Sequence, residues 1–341
     1  MGRDRRPLGL LFWLVLGSAL TVAVLGASAT GIGTGTGTDP GTSSHGAGGG
    51  GPEPDDYVDI RSVPPAAPVP RPGPDGSTGA YRVDCGRNEG HHYNQDNLVV
   101  SPGLPGGAHH THEYVGNRST DARSTDRGLA AAPTTCRGGD RSTYYWPVLR
   151  RTDRPATHAY EKAAGHGNAG RILGPAEVRL EFHGNPVGKV VAMPRFLRAL
   201  TGDAVARTAR SEADVRARWG CSSLPDRFTT RYPRCPEGDR LTRTLIFPSC
   251  WNGLDTVDST RAHLVFPAAN GVCPRDTFAV PQLRITLGYD ALPPGTPIAL
   301  DAFPEQRHSP RTDHAMFVNV MTDAAMAVVV DCLNSGRRCT V

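Results

Sequence analysis

Residues 108–117 read Ala-His-His-Thr-His-Glu-Tyr-Val-Gly-Asn, and they hold three of the twelve histidines of the chain within four positions. If this stretch is a β-strand, successive side chains point to opposite faces. His110 and His112 then share one face, about 7 Å apart along the strand. Two imidazoles in this arrangement can bind a metal ion or hold a substrate, so this stretch is the leading site candidate.

Strand patterns also dominate the sequence that follows. Short apolar or alternating runs, bounded by Gly, Pro or Asn, occur at Arg171–Phe182, Val187–Met193, Leu241–Phe247, His263–Phe266 and Leu283–Leu287. Short strands with frequent turn residues are typical of sandwiches and barrels. We therefore predict a mainly β fold, a single antiparallel β-sandwich or barrel-like domain with long loops and few short helices.

Helix signals are few. Ser211–Arg218 begins with a capping residue that is followed three positions later by Asp214, which predicts a short helix. Asn319–Asp331 fits either a helix or a final buried strand.

The N-terminus carries an export signal. Arg3, Arg5 and Arg6 precede an uncharged apolar run from Leu8 to about Gly26, and Ala27-Ser28-Ala29 follows with small residues suited to cleavage. The run is also long enough to span a bilayer. Residues 1–29 are therefore a signal peptide or an N-terminal membrane anchor, and both alternatives place the remainder in the secreted fraction or on the extracellular face of the membrane.

A low-complexity segment follows. Residues 30–79 are rich in Gly, Thr and Pro and have little to bury, so we predict a disordered linker. The globular domain is then expected at residues 80–341.

Eight cysteines lie after this linker, and none of them forms a C-x-x-C motif. In an oxidising compartment an even number of cysteines predicts disulfides. Nearest-neighbour pairing closes the shortest loops at the least entropic cost. We therefore predict the four pairs Cys85–Cys136, Cys221–Cys235, Cys250–Cys273 and Cys332–Cys339.

The charge distribution argues against one class of partner. The formal net charge is +4, and the 37 basic residues are spread along the chain rather than grouped. Since no basic stripe with interleaved aromatic residues is evident, we expect no nucleic-acid partner. A cell-wall or extracellular polysaccharide is the partner that we expect instead.

Several separated blocks resemble one known family. They are Gly107–Asn117 with its His-x-His, Gly139–Ser142 leading to Tyr145–Pro147, Pro194–Phe196, Cys235-Pro236, Pro248–Gly253 followed by Leu254-Asp255 and His263, Cys273-Pro274, Pro281–Leu283, and Asp313-His314-Ala315-x-Phe317-x-Asn319. Together they resemble the secreted fungal and actinobacterial proteins called domain of unknown function nineteen-ninety-six. The resemblance covers roughly residues 82–332.

The resemblance implies an extracellular domain without an established activity. It places the family's His-x-His on His110 and His112, its late His-x-x-Phe on His314 and Phe317, and its Cys-Trp-x-Gly on residues 250–253. The sequence departs from the family pattern in two places. Asn252 stands where many members have Asp, and a Trp expected shortly after position 319 is absent.

The candidate centre is His110, His112 and His314. Three neutral imidazoles, or two with Asp313, suit a zinc or copper ion with an open coordination position, so a divalent metal is the cofactor to consider. The same histidines also suit metal-free acid–base catalysis or substrate contact. In the third alternative they are hydrogen-bonded packing residues under a loop.

Carboxylates are needed as partners if the protein cleaves glycosidic bonds. The candidates are Asp140, Asp255, Asp258, Asp290 and Asp301. Asp140 ranks first because it precedes the aromatic pair Tyr145-Trp146, although aspartate is also common in turns.

Aromatic, basic and amide residues supply candidate substrate contacts. Trp146 and Trp251 lie beside turn residues and can line a sugar-binding groove, although large aromatic side chains are more often buried in a core. Arg141 and Arg195 can bind carboxylates of an acidic polysaccharide or form ordinary ion pairs. Asn117, at the end of the opening stretch, completes this group.

The sequence contains no motif for several other reaction types. It lacks G-x-S-x-G, a phosphate-binding glycine loop before a helix, and H-E-x-x-H. Our leading hypothesis is a carbohydrate-active protein, a polysaccharide hydrolase or lyase that uses the histidine cluster. The alternative is a non-catalytic envelope protein that binds a ligand or has a structural role, or a metal-binding domain.

Overall fold

A computed structural model describes residues 51–162, 166–209 and 212–341. The predicted signal peptide or anchor at 1–29, and the predicted linker as far as residue 50, lie outside these ranges. Among the helices that the structure describes, none is both long enough and apolar enough to cross a bilayer.

Within the described ranges, twenty short strands carry the architecture. In chain order they are β1 (Tyr57–Asp59), β2 (Ala80–Val83), β3 (Tyr93–Asn94), β4 (His112–Gly116), β5 (Thr143–Pro147), β6 (Leu149–Arg151), β7 (Arg171–Leu173), β8 (Glu177–His183), β9 (Arg198–Gly202), β10 (Trp219–Cys221), β11 (Leu224–Thr229), β12 (Tyr232–Arg234), β13 (Leu241–Ile246), β14 (Cys250–Trp251), β15 (Leu264–Val265), β16 (Phe278–Ala279), β17 (Gln282–Gly288), β18 (Ile298–Leu300), β19 (His314–Val318) and β20 (Arg338–Thr340).

Helices are few and short, as predicted. The α-helices are α1 (Asp126–Ala131) and α2 (Asp323–Asn334), and single 3₁₀ turns occur at Pro54–Asp56, Ile60–Ser62, Arg137–Gly139, Ala159–Glu161, Pro304–Gln306 and Pro310–Thr312.

Two large sheets organise the strands. One has seven strands in the order β11-β10-β13-β17-β8-β2-β20, and the other has five in the order β3-β4-β5-β19-β9. Smaller sheets are formed by β1-β12, β15-β14-β16 and β18-β6-β7. Pairing in both large sheets is antiparallel except between β2 and β20.

The two large sheets share one hydrophobic core. Phe317 of β19 contacts Phe182 of β8 with the ring centroids 5.9 Å apart, and it contacts Phe247 at 6.3 Å. Both ring pairs are edge-to-face, a favourable aromatic geometry. Since the inner faces of two antiparallel sheets meet in this way in sandwiches, the structure confirms the mainly β class and a sandwich-like arrangement.

Two of the predicted strands differ from the structure. Arg171–Phe182 is divided into β7 and β8 by Gly174–Ala176, because Pro175 has no N–H to give to a ladder. The predicted strand Val187–Met193 is wrong: this segment is a loop, and the side-chain amide of Asn334 bonds both the N–H and the carbonyl of Val190.

The helix predictions have opposite outcomes. Ser211 lies outside the described residues, and 212–218 contain no helix, so the helix predicted at 211–218 is wrong there. Ala217 is buried against the core while its two neighbours point outward, as in extended chain. For the other segment the helical alternative is confirmed as α2, in which the Thr322 hydroxyl accepts a hydrogen bond from the N–H of Ala325.

The folded unit begins earlier than residue 80. β1 pairs in parallel with β12, and the ring of Tyr57 packs on Tyr232 with centroids 5.3 Å apart. Ile60 is fully buried. The predicted linker end at residue 79 is therefore too late in the chain. The short apolar segment Tyr57–Ile60 packs on the domain despite its Gly- and Pro-rich surroundings.

The four disulfides of the structure are Cys85–Cys136, Cys221–Cys235, Cys250–Cys273 and Cys332–Cys339. Nearest-neighbour pairing is thus confirmed. Each bridge typically contributes about 2–4 kcal/mol, and together they suit an oxidising, extracellular compartment.

We expect Ile60→Ala to lower the free energy of unfolding by about 2–4 kcal/mol, because it removes a buried side chain and leaves a cavity. Val69→Ala, at an exposed position of the same segment, is the control and should stay within about 0.5 kcal/mol of the parent. Urea unfolding of the domain from residue 51 onward measures both. Equal stabilities for parent and Ile60→Ala would mean that this segment does not belong to the folded unit.

Candidate metal centre

The sheet register brings two of the predicted histidines together. β4 and β19 lie on either side of β5, and His112 pairs with Pro147 at the end of β5. On the other side Met316 pairs with Tyr145, and the same register continued by two residues brings His314 to Pro147. Because side chains alternate along a strand, both histidines project from the outer face of the sheet, across the small proline ring.

His110 reaches the same point from a turn. The strand expected to start at residue 108 begins only at His112, and His109 has a φ of 56°. This left-handed conformation is uncommon outside turns for a residue other than glycine. The chain therefore bends just before β4, and His110 lies over His112 rather than one strand repeat away.

The three imidazoles converge through their Nε2 atoms. The Nε2 of His110 is 3.1 Å from that of His112 and 3.2 Å from that of His314, and the last two are 3.4 Å apart. A zinc ion binds imidazole nitrogen at about 2.0–2.1 Å in tetrahedral geometry, which separates two such nitrogens by about 3.3 Å. The cluster therefore has the dimensions of a three-histidine metal centre with a fourth position left for water or substrate.

Hydrogen bonds fix the tautomer of two ligands. The Nδ1 of His112 lies 2.8 Å from the carbonyl oxygen of Asp96, and that of His314 lies 2.8 Å from the carbonyl oxygen of Thr312. A carbonyl oxygen only accepts, so each Nδ1 donates and each Nε2 directs a lone pair toward the centre. The Nδ1 of His110 has no hydrogen-bond partner within the described residues.

Burial keeps the three imidazoles neutral. It lowers the pKa of His112 to about 3 and lowers the pKa of His314. Burial, followed by the proximity of the other two rings, holds the pKa of His110 well below its usual value. Neutral imidazole is the form that binds metal ions.

One side of the centre opens on a pocket of about 190 Å³. His110 and His314 line it together with Leu200, Asp203, Arg261 and Phe303. The pocket is thus an access route to the converging nitrogen atoms, with a carboxylate, a guanidinium group and an aromatic ring in its wall.

Two buried ion pairs support the centre. Arg150 binds Asp301 through Nε–Oδ1 at 2.5 Å and Nη2–Oδ2 at 3.1 Å, and Asp301 accepts the backbone N–H of Thr111, between the first two histidines. Arg243 binds Asp313 in the same forked manner. Asp301 and Asp313, both considered as site carboxylates, are therefore engaged in structural pairs, and Asp313 is not a ligand.

The structure does not bring Asp140 to the histidines. Asp140 lies beyond the opposite end of β5 from Pro147, and the four-residue rise between the strand ends is about 13 Å. Its carboxylate accepts hydrogen bonds from the Ser142 N–H at 2.9 Å and the Tyr144 hydroxyl at 2.7 Å. The predicted catalytic partnership of Asp140 is wrong on this geometry.

The predicted substrate contacts Asn117 and Arg141 lie at that same distant end. Asn117 is buried, and its Nδ2 donates to the carbonyl oxygens of Leu129 and Arg141. The Arg141 side chain is exposed and donates to the Ala130 carbonyl oxygen. Both side chains support loops rather than the pocket.

Neither tryptophan lines the pocket. Trp146 is fully buried, and its Nε1 donates to Glu113 at 3.0 Å. Trp251 is half-buried against the core, and its Nε1 donates to the Asp255 carbonyl oxygen at 2.7 Å. The packing alternative, not the sugar-groove alternative, therefore describes Trp146, because β5 directs it between the two sheets.

The remaining candidates are dispersed. Asp255 accepts a hydrogen bond from the side chain of Asn252, Asp258 binds Thr260, and Asp290 is exposed beside Arg240. The guanidinium carbon of Arg195 lies 4.9 Å from the ring centre of Phe196.

Asn252 itself accepts the backbone N–H groups of residues 254 and 255. An aspartate can accept the same bonds, so the family difference at this position leaves the turn intact.

Sequence reasoning missed Asp203, Arg261 and Phe303. Asp203 follows the end of β9, where Gly202 pairs with His314, and the other two lie on loops far apart in the chain. No local motif marks them. Only the register of β9 against β19, which was not predicted, identifies Asp203 as a neighbour of the centre.

The fold and site define a disulfide-stabilised, mainly β domain with a buried three-histidine cluster of metal-centre geometry. The chain matches the family described as domain of unknown function (DUF1996) over residues 97–318, more than half of its length and including all three histidines. It therefore belongs to that family, which confirms the resemblance. No curated protein and no solved structure gives a significant match.

We expect Arg150→Met to destabilise the domain by about 3–5 kcal/mol, because it leaves Asp301 buried without its counter-charge. The double variant Arg150→Met/Asp301→Leu removes both charges and should recover much of this loss. Urea unfolding compares the three proteins. A single variant as stable as the parent would contradict the structural role of the pair.

Asp140→Asn should leave the metal content unchanged, since Asp140 lies at the far end of β5. Burial raises the pKa of Asp140, so the folded state binds its proton more tightly than the unfolded state does. This contribution to stability is present below the unfolded pKa and is lost as the pH rises through the folded value. The Asn variant should lack this loss in unfolding measured from pH 3 to 7. If that variant lost its metal, the conclusion that Asp140 lies outside the site would be contradicted.

Proposed function

We propose that this protein is an exported, metal-dependent enzyme that cleaves a polysaccharide, with one zinc or copper ion held by His110, His112 and His314. The observation that carries the proposal is the convergence of three buried Nε2 atoms within 3.4 Å of one another. Because His110 and His314 also line the pocket, a fourth coordination position on an ion held here would be open to it.

The cluster is difficult to explain as packing alone. Two of its Nε2 atoms carry lone pairs that face each other, because their Nδ1 atoms donate to carbonyls. A proton on the Nε2 of His110 makes one full hydrogen bond, so one of the two facing lone pairs is left without a full donor. Such unsatisfied groups are rare in cores, whereas a cation at the centre satisfies all three Nε2 lone pairs.

The residues around the pocket can supply the remaining chemistry. A metal ion bound here acts as a Lewis acid on a substrate oxygen. Asp203, half-exposed on the same pocket, is the group that we assign to proton transfer. The ring of Phe303, 5.3 Å from that of His110, packs beside the centre and limits the entry of water.

Features elsewhere in the chain support a polymer outside the cell. The export signal predicted at residues 1–29 and the four disulfides agree on the compartment. The pocket also adjoins a second pocket of about 340 Å³ with which it shares Val100, Leu200 and Arg261. Adjoining pockets of this kind suit an extended chain better than a small metabolite.

Metal content is the first test. The domain from residue 51 onward should retain about one zinc or copper ion per chain after dialysis, and His110→Ala/His112→Ala should retain none. His109→Asn is the matched control: it removes an adjacent, exposed imidazole and asparagine tolerates the positive φ. A metal-free parent, or a double variant that still binds one ion, contradicts the proposal.

Activity is measured on the same proteins with cell-wall and acidic polysaccharides. New reducing ends report hydrolysis, and ultraviolet absorbance of an unsaturated product reports elimination. We expect Asp203→Asn to keep the metal and lose at least about a hundredfold in rate, the usual contribution of a general acid or base. A metal-loaded parent that cleaves none of these polymers would make the centre structural.

A further inference from the structure

Three arginines gather on the outer face of the seven-stranded sheet, away from the histidines. The backbone carbonyl of Arg218 accepts the N–H of Thr244 on β13, which places Arg218 beside that strand. Arg216 lies two residues earlier in extended chain and therefore on the same face. Arg284 of β17 pairs with Ile246 of β13. Arg216 and Arg218 line a pocket of about 290 Å³ with Ile246, Phe266 and Pro267.

Aromatic rings hold two of these guanidinium groups in place. The guanidinium carbon of Arg216 lies 4.4 Å from the ring centre of Phe266, and that of Arg218 lies 4.1 Å from the ring centre of Phe228. Stacking of this type fixes the plane of the guanidinium fork while leaving its edge free. The pair is therefore arranged in advance of any ligand.

The cluster has no matching anion among the described residues. None of the three guanidinium groups forms an ion pair there, and the Nε atom of each is buried without a hydrogen-bond partner. Burial lowers the pKa of Arg218, and the charge of Arg284 lowers it further. Like charges brought together without a counter-ion are unfavourable, and a bound anion offsets that cost.

The acidic groups that face the cluster do not neutralise it. Burial lowers the pKa of Arg284, and the charge of Glu181, its partner in the sheet register, opposes that shift. The Glu181 carboxylate forms no ion pair with Arg284, however, and lies 3.7 Å from His183. Asp214 lines the neighbouring pocket and is exposed. The surface therefore keeps an excess of positive charge next to apolar rings.

Adjoining pockets lie between this cluster and the histidine centre. The arginine pocket shares Arg216 and Phe266 with a pocket of about 560 Å³. That pocket in turn shares Leu200, Gly202 and Arg261 with the pocket beside His110 and His314. A ligand long enough to follow this path reaches both sites.

We propose that Arg216 and Arg218, with Arg284 beside them, form a carboxylate-binding site for an acidic polysaccharide whose chain extends along these pockets to the histidine centre. The inference rests on the proposed function and names its substrate class. A guanidinium fork binds a carboxylate through two parallel hydrogen bonds.

The test is binding of polygalacturonate and alginate to the domain from residue 51 onward, by calorimetry at two salt concentrations. Arg216→Gln/Arg218→Gln should lower the affinity about tenfold or more, since two charge-assisted contacts are lost. Arg216→Lys/Arg218→Lys, which keeps charge without the fork, should show a smaller loss. Arg123→Gln/Arg127→Gln makes the same charge change at exposed positions and should bind as the parent does.

Further arms separate this site from the metal centre. Fully methyl-esterified polygalacturonate, which lacks the charge, should bind at least about tenfold more weakly than the acid form. All arginine variants should keep their metal and their thermal unfolding midpoint. The metal-free His110→Ala/His112→Ala variant should still bind the acidic polymer. Binding at the arginines can therefore be tested even if the metal-dependent activity is absent.

The proposal is overturned if neither acidic polymer binds, if the Gln variant binds as tightly as the parent, or if esterified and acidic polymers bind equally. Tighter binding of a single-stranded oligonucleotide, through the same arginines, would assign the cluster to nucleic acid instead.

Discussion

Two arginine–aspartate pairs, buried on both partners, hold the segments from which the histidine centre is built. Arg243 belongs to β13 of the seven-stranded sheet, whereas Asp313 immediately precedes β19 of the five-stranded sheet. Their bond therefore crosses the sandwich. A buried ion pair is tolerated only when its geometry satisfies the remaining donors, and Arg243 does so by donating also to the Pro147 carbonyl oxygen and the Tyr289 hydroxyl.

This constraint extends to the imidazoles of the proposed metal centre. Asp313 stands between Thr312, whose carbonyl oxygen fixes the tautomer of His314, and His314 itself. Because the Asp313 carboxylate is fixed in the core, the backbone that positions His314 is fixed as well. The second pair acts in the same way on the other strand, because Asp301 accepts the N–H of Thr111, one residue from both His110 and His112. The backbone positions of the three histidines therefore depend on these buried charges as well as on contacts among the rings.

Sequence reasoning recovers the parts of this design that depend on local chemistry. The disulfides could be paired because short loops close most readily, and the three histidines could be grouped through the family's motifs. Asp140 was assigned to the site because it precedes Tyr145-Trp146, and Trp146 because it lies beside turn residues. Their true positions depend on which end of β5 meets His112, and that register is set by nonlocal pairing.

Segments whose backbone is satisfied by side chains were also mispredicted. Val187–Met193 has the composition of a strand, but the amide of Asn334, more than a hundred residues away, takes the hydrogen bonds of Val190. Asp203 and Arg261 were missed at the pocket for the same reason. Only the alignment of β9 with β19 and the fold of a distant loop bring them to the centre.

The two proposed sites impose opposite electrostatic demands, and the fold separates them accordingly. A metal centre requires neutral imidazoles, which deep burial supplies by lowering their pKa values. An anion site requires guanidinium groups that stay charged, which partial exposure and stacking on Phe228 and Phe266 allow. Burial lowers the pKa of His314; the charge of Asp313 raises it and that of the paired Arg243 lowers it. Because Arg243 is paired with a carboxylate, its positive charge can lie beneath a cation site. The unpaired arginines Arg216, Arg218 and Arg284 lie at the other end of the series of pockets, where their charge can attract an acidic polymer.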